Sequence, residues 1–226
     1  KHFDRGYKVF LEQERERRMR GKIPILIKAS CFMGNSYAGP FGDFKSTNPS
    51  RLEISEVEGW PTWLSSSEVV GYENYLNVYS HTLGLLMEIT GGALVPRHTE
   101  VSDAGHGICV FRSIDQVPVE LSTANCKLED WHETIVLIYE DEILSIEFPP
   151  ALLRNVPARV TLTAKTNSQK TTDFHAGWSW SFLEQASTFR DLCENGDKDG
   201  DNVSMAADLV ELVEGIFSLH KKEERG

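Results

Sequence analysis

From Ala93 onward the chain offers one short strand-like run after another, with only turn-length pieces between them, and this spacing constrains the fold more than any other feature. The runs are Ala93–Val95, Gly107–Ile114, Val117–Leu121, Thr134–Tyr139, Ile143–Phe148 and Ala158–Thr166. A parallel return needs a crossover of about a dozen residues or more, usually a helix. Only Glu140, Asp141 and Glu142 separate Tyr139 from Ile143, so those two runs are expected as antiparallel neighbours. Arg159, Thr161, Thr163 and Lys165 alternate with Val160, Leu162 and Ala164, which predicts a strand with one face turned from the core.

The flanks read differently. Ile23–Phe32 is apolar and β-branched at its start and reads as a buried strand, followed by a loop from Gly34 to Pro49 dense in Gly, Asn, Ser and Pro. Leu52, Ile54 and Val57 alternate with charged residues as a half-exposed strand would. From Ser66 to Thr90 the period changes: Val69, Tyr72, Leu76, Tyr79, Leu83, Leu86 and Ile89 recur at spacings of three and four, ahead of Gly91-Gly92, predicting a long helix with a glycine stop. Trp180–Leu192 and Ser204–Lys222 are two further amphipathic segments. Strands grouped between helices, without a crossover helix at each step, make the fold class α+β. The expectation is a single domain with a mainly antiparallel sheet of about five to seven strands, a long helix near 66–90 and helices at both ends.

Charge is unevenly placed. The 226 residues carry a net charge of -11, yet residues 1–28 hold nine Lys or Arg against four acids, leaving 14 basic and 30 acidic side chains for the rest. An acidic surface opposes binding to nucleic acid or anionic lipid, but the N-terminal segment escapes that exclusion. Glu14 with Arg18 and Glu16 with Arg20 stand at the favourable i,i+4 spacing of a self-paired helix. The segment is therefore read as a basic N-terminal helical arm, 1–22, on a single α+β domain, 23–226, with Arg15, Arg17, Arg18 and Arg20 as interaction residues.

Cys31, Cys109, Cys126 and Cys193 show no CxxC pair and no short spacing to histidine, which leaves a local zinc site unsupported and favours reduced thiols and an intracellular protein. No apolar run approaches the length needed to span a bilayer. Asp197, Asp199 and Asp201 alternate in a Gly- and Asn-containing stretch, with Asp208 at the twelfth position. That is a weak calcium pattern, because the final ligand is an aspartate and the turn glycine is out of register; an acidic turn between helices accounts for the same residues. His98, Asp103 and His106 fall in a polar, glycine-bearing stretch and are the weak candidates for catalysis, and Cys31 with His81, His98 or His106 is a chance nucleophile–base pairing. Neither GxxxxGK[ST] nor GxGxxG stands between a strand and a helix, so no cofactor is expected. Trp178 and Trp180 alternate after a polar stretch, where one closes the core and the other faces a partner.

The order of a strand, a helix rich in Tyr and Leu, Val95-Pro96-Arg97-His98, and a strand ending Ile138-Tyr139-Glu140-Asp141-Glu142 resembles rhabdovirus matrix proteins. That resemblance implies a viral matrix-like scaffold, and the acidic balance stands against the basic, membrane-binding character of such proteins. The expectation is a non-catalytic interaction or assembly protein, a homo-oligomer joined through its basic arm and acidic body, with nucleic acid or an anionic surface reached only through the arm. The alternatives are a small hydrolase using the His98–His106 stretch and an acidic inhibitor or immunity-type protein for a basic partner.

Overall fold

The computed structural model describes residues 1–34, 60–127, 131–150, 153–165, 169–195 and 201–224. The expected strand at 52–57 and most of the loop at 34–49 lie outside the described residues. The order is α1 (Arg5–Met19), β1 (Leu26–Met33), α2 (Val69–Asn74), a π turn (Tyr75–Tyr79), α3 (Ser80–Thr90), β2 (Val95–Val101), β3 (Gly107–Arg112), β4 (Pro118–Asn125), β5 (Trp131–Ile138), β6 (Glu142–Phe148), β7 (Arg159–Lys165), β8 (Gln169–Phe174), α4 (Ser181–Asn195) and α5 (Asp201–Glu224).

All eight strands join one mixed sheet in the order β2-β3-β4-β1-β5-β6-β7-β8. The α+β class stands, but the sheet exceeds the expected five to seven strands and is not wholly antiparallel: β1 runs parallel to β4 and antiparallel to β5. β8 is the strand that hydropathy missed. Its QKTTDF sequence has no buried residue, and it is recruited as an edge by backbone pairing to β7, with Thr163 facing Thr171 and Arg159 reaching Asp173 across the strands. β2 also runs further than expected, through the polar stretch to Val101.

One row of each central strand is buried: Ile27, Ala29 and Cys31; Val119 and Leu121; Ile135 and Leu137; Leu144, Ile146 and Phe148. This side receives Tyr7, Phe10 and Leu11 of α1, Leu83, Leu86 and Ile89 of α3, and Leu212, Val213, Ile216 and Phe217 of α5 in one core. The N-terminal segment thus contributes to the body. Asp4 caps α1 by accepting from the Gly6 and Tyr7 amides at 2.7 and 3.3 Å, and also accepts from the Ala158 amide at 3.0 Å. α1 comes so close to this segment that a Cβ on Gly6 would stand 2.0 Å from the Ala158 carbonyl oxygen.

The basic residues are largely answered within the same chain. Buried Arg17 bonds Glu142 at 2.8 Å; Arg18 bonds Glu14 and, at 2.8 Å, Asp115; Lys22 pairs with Asp141 at 2.8 Å and with Glu142; exposed Arg20 lies 3.7 Å from Glu16. Arg15 is exposed. Part of the charge split is thus answered inside one molecule, between the N-terminal segment and the turns after β3 and β5.

Candidate functional site

Where β1 ends and β5 begins, Met33 and Trp131 are paired across the sheet, and a cavity of about 240 Å³ opens beside them, lined by Lys1, Met33, Asn74, Asn77, Val78, His81 and Trp131. Four of these residues come from one helical run at offsets of three, four and seven, which places them on one face. The opposite face of that run supplies Tyr75, Tyr79, Leu83 and Leu86 to the core. The π turn lies in the middle of the lining face; such insertions cluster at functional sites because they rephase a helix locally.

The lining chemistry is specific. Asn74 donates from Nδ2 to the Ala104 carbonyl at 3.0 Å, which fixes its amide with the oxygen still able to accept. The His81 side chain opens to solvent at the surface, yet the protein packed around it, followed by the positive charge at Lys1, holds its pKa below the usual 6.5. The imidazole is therefore neutral at pH 7 and can exchange a proton with a bound hydroxyl or carbonyl oxygen. Behind it, Glu133 is fully buried in the core row of β5. It accepts from Thr82 Oγ1 at 2.9 Å and from Trp131 Nε1 at 3.1 Å, and lies 2.6 Å from Lys1 Nζ. The Lys1 ammonium in turn sits 5.1 Å from the ring centres of Trp131 and Phe148.

A larger open groove of about 510 Å³ runs along the turn between β5 and β6. Its Asp141 and Glu142 are already paired to Lys22 and Arg17, and neither an imidazole nor an asparagine lines it.

The residues singled out from sequence lie elsewhere. His98 is on edge strand β2, with Nδ1 3.1 Å from Glu223. Asp103 is exposed in the β2–β3 turn and His106 half-buried there. This turn packs on α2, where the Gly71 amide donates to the Asp103 carbonyl at 2.8 Å and a Cβ on Gly71 would lie 2.7 Å from the Gly105 nitrogen. Trp178 is 84% exposed, whereas Trp180 is half-buried beneath the Arg154 guanidinium, 4.9 Å from its ring centre. Asp197 and Asp199 lie outside the described residues, Asp201 opens α5, and Asp208 is exposed on that helix. Among the described residues no cluster of three or more His, Cys, Asp or Glu side chains has the spacing to hold a metal.

Cys31 faces Glu133 across β1 and β5; burial first, then that carboxylate, push its thiol up to about 12, and burial does the same to Cys109. At pH 8 such thiols are ionised in only about one part in ten thousand. Cys31 is therefore no nucleophile for His81. A thiol-reactive disulfide reagent should modify exposed Cys193 rapidly and reach Cys31 and Cys109 only when the chain unfolds. Fast labelling of Cys31 in the folded protein would contradict the burial described.

The stripe of Asn74, Asn77 and His81 was present in the sequence at helical spacing, but the apolar stripe of the same helix outweighed it. Glu133 had a signal too, as an acid at a position where alternation along 131–137 calls for an apolar residue.

No known family model matches the chain, and no curated protein does. Solved structures do. A protein from Desulfitobacterium hafniense assigned as an NADPH-dependent oxidoreductase superposes with a TM-score of 0.62 at 10% identity, over 93% of this chain and 59% of that one. A 3-ketoreductase from Actinomadura kijaniata, solved with NADP and TDP-benzene, gives 0.57 at 12%, over 92% and 58%. A UDP-N-acetylglucosamine 3-dehydrogenase from Acidithiobacillus ferrooxidans gives 0.56 at 9%, over 91% and 56%. The chain thus spans less than two thirds of the length of each of these proteins. These neighbours overturn the assembly reading and its alternatives, the hydrolase, the acidic inhibitor and the viral matrix scaffold: the fold is one that occurs in dinucleotide-dependent oxidoreductases. Charge asymmetry is a weak guide to function here because Arg17, Arg18 and Lys22 are paired within the chain, and the matrix resemblance rests on a few residues per segment. Among the described residues no helix is long and apolar enough to cross a membrane. At these identities the likeness establishes a shared fold, a mixed α+β unit that occupies a little over half of each of these oxidoreductases.

Proposed function

We propose that this chain is the substrate-handling part of an NAD(P)-dependent oxidoreductase acting on a hydroxyl or keto group of a sugar-type substrate. The observation that carries the reading is the cavity at the β1–β5 end, where a neutral imidazole, two asparagine amides and an indole converge. Amides match neighbouring hydroxyls as both donor and acceptor, and an aromatic wall suits the apolar face of a ring. The volume, about 240 Å³, admits one ring of that size.

The described residues do not fit a dinucleotide. Pyrophosphate is held where a strand turns through glycines into a helix N-terminus. Here Gly91-Gly92 ends α3 and leads toward β2, and Gly105-His106-Gly107 leads into β3. The nucleotide-holding part belongs to residues other than these, in keeping with the fraction of the neighbouring oxidoreductases that this chain spans. The task left to the chain is to bind and orient the substrate through Asn74, Asn77 and Trp131, and to hold or release a proton at His81 beside the reacting oxygen. An intracellular location accompanies this reading, since four free cysteines persist in reducing compartments.

The test is titration of the chain with a panel of hexoses and nucleotide sugars, and separately with NADP, followed by NMR. A sugar of the panel should shift the resonances of the His81 ring and the Trp131 indole, while NADP alone leaves them in place. A panel in which no sugar moves either residue would sink the proposal, as would tight binding of NADP to this chain by itself.

A further inference from the structure

A carboxylate buried in a sheet's core row is costly unless several partners hold it. Glu133 has three: Thr82 on α3, Trp131 on its own strand, and Lys1 ahead of α1. Lys1 and Trp131 line the cavity, and Thr82 is the residue after His81. We propose that Glu133 is a positioning residue for His81: it ties the walls of the cavity together and offsets the Lys1 ammonium, so that the imidazole can accept a proton while that cation stays beside it.

The physics is a balance of signs. The charged groups that act on His81 are, in falling order, the α-ammonium of Lys1, Glu133 from β5, the Lys1 side chain and His2. Lys1 and His2 oppose an imidazolium, whereas Glu133 favours one. The ammonium could have faced the substrate, but its side chain is only 9% exposed and it is packed between two aromatic rings against the carboxylate. It is thus a buried counter-charge and not an anion-binding arm.

This inference rests on the oxidoreductase reading for the importance of His81, but its test needs neither substrate nor turnover. The His81 ring is titrated by NMR in the full chain, its signal assigned by absence in His81→Gln. E133Q keeps the shape and removes the negative charge, so the His81 midpoint should fall by roughly 0.5 pH unit or more; Lys1→Met, which leaves the α-ammonium in place, should raise it by a smaller amount; the double variant should lie between E133Q and the parent. A merely structural role moves both single variants the same way or not at all, and either result overturns the proposal. If E133Q does not fold, the double variant, which removes both buried charges, is compared with Lys1→Met: a lower midpoint in the double variant supports the proposal and an equal one overturns it. A chain that bound no sugar would leave these outcomes untouched, so the two failures are distinguishable.

Discussion

Removing residues 1–22 should leave a chain that cannot fold, seen as lost near-ultraviolet circular dichroism and gained binding of an apolar dye. The segment carries Tyr7, Phe10 and Leu11, exposed by 0, 0 and 8%. At ~2 kcal/mol for each fully buried large side chain, their loss amounts to about 6 kcal/mol. The Asp4 carboxylate, which caps α1 and accepts from the Ala158 amide and the Ser181 hydroxyl, adds about 1 kcal/mol for the cap alone. Domains are stable by only about 5–15 kcal/mol, so the deletion consumes most or all of that margin. A separable arm predicts the contrary, a shortened chain that melts cooperatively near the parent temperature, and that result would show that α1 is dispensable to the core.

Gly6→Ala should be the most damaging single methyl group that can be added to α1. Alanine normally stabilises a helix by roughly 0.5–1 kcal/mol over glycine, so propensity alone predicts a gain. Here the new Cβ would lie 2.0 Å from the carbonyl oxygen, 2.7 Å from the carbonyl carbon and 3.0 Å from the Cα of Ala158. All three are backbone atoms, which cannot swing aside as a side chain does. The helix must lift from the segment entering β7 and weaken the Asp4 contact with the Ala158 amide. Overpacking of this kind costs about 1–3 kcal/mol before that loss is added, and in a chain of this length 3 kcal/mol lowers the melting temperature by roughly 6–12 °C. Gly21→Ala is the control, since a Cβ there meets nothing within 4 Å and only its φ of +76° is strained. If thermal melts place the two variants together, the close approach at Gly6 is not what limits stability.

Legibility followed sequence distance. The β5–β6 hairpin was readable because three residues cannot hold a crossover, and α3 because its apolar period ends in Gly91, which takes φ +77° as the C-cap. β8 was hidden because an edge strand that buries nothing leaves no hydropathy signal, and the parallel β1–β4 pair because no local pattern encodes a partner so far along the chain. The site was hidden for a different reason. Asn74, Asn77 and His81 share a helix whose other face supplies the core, and the stronger signal on one face concealed the weaker one on the other. The basic residues of the N-terminal segment suggest an external role in sequence, because sequence does not show that Asp115 and Glu142 return to meet Arg18 and Arg17, or that Asp141 returns to meet Lys22.

The central strand β1 has a temporal consequence. Ile27 pairs with Val119 on one side and Leu137 on the other, roughly ninety to one hundred and ten residues away, so the middle of the sheet closes only after long loops have been drawn together. Refolding should therefore be slow for a domain of this size. During synthesis β1 emerges before both of its neighbours and must wait for them, an interval in which a row of apolar residues with unpaired edges stands open to misassociation.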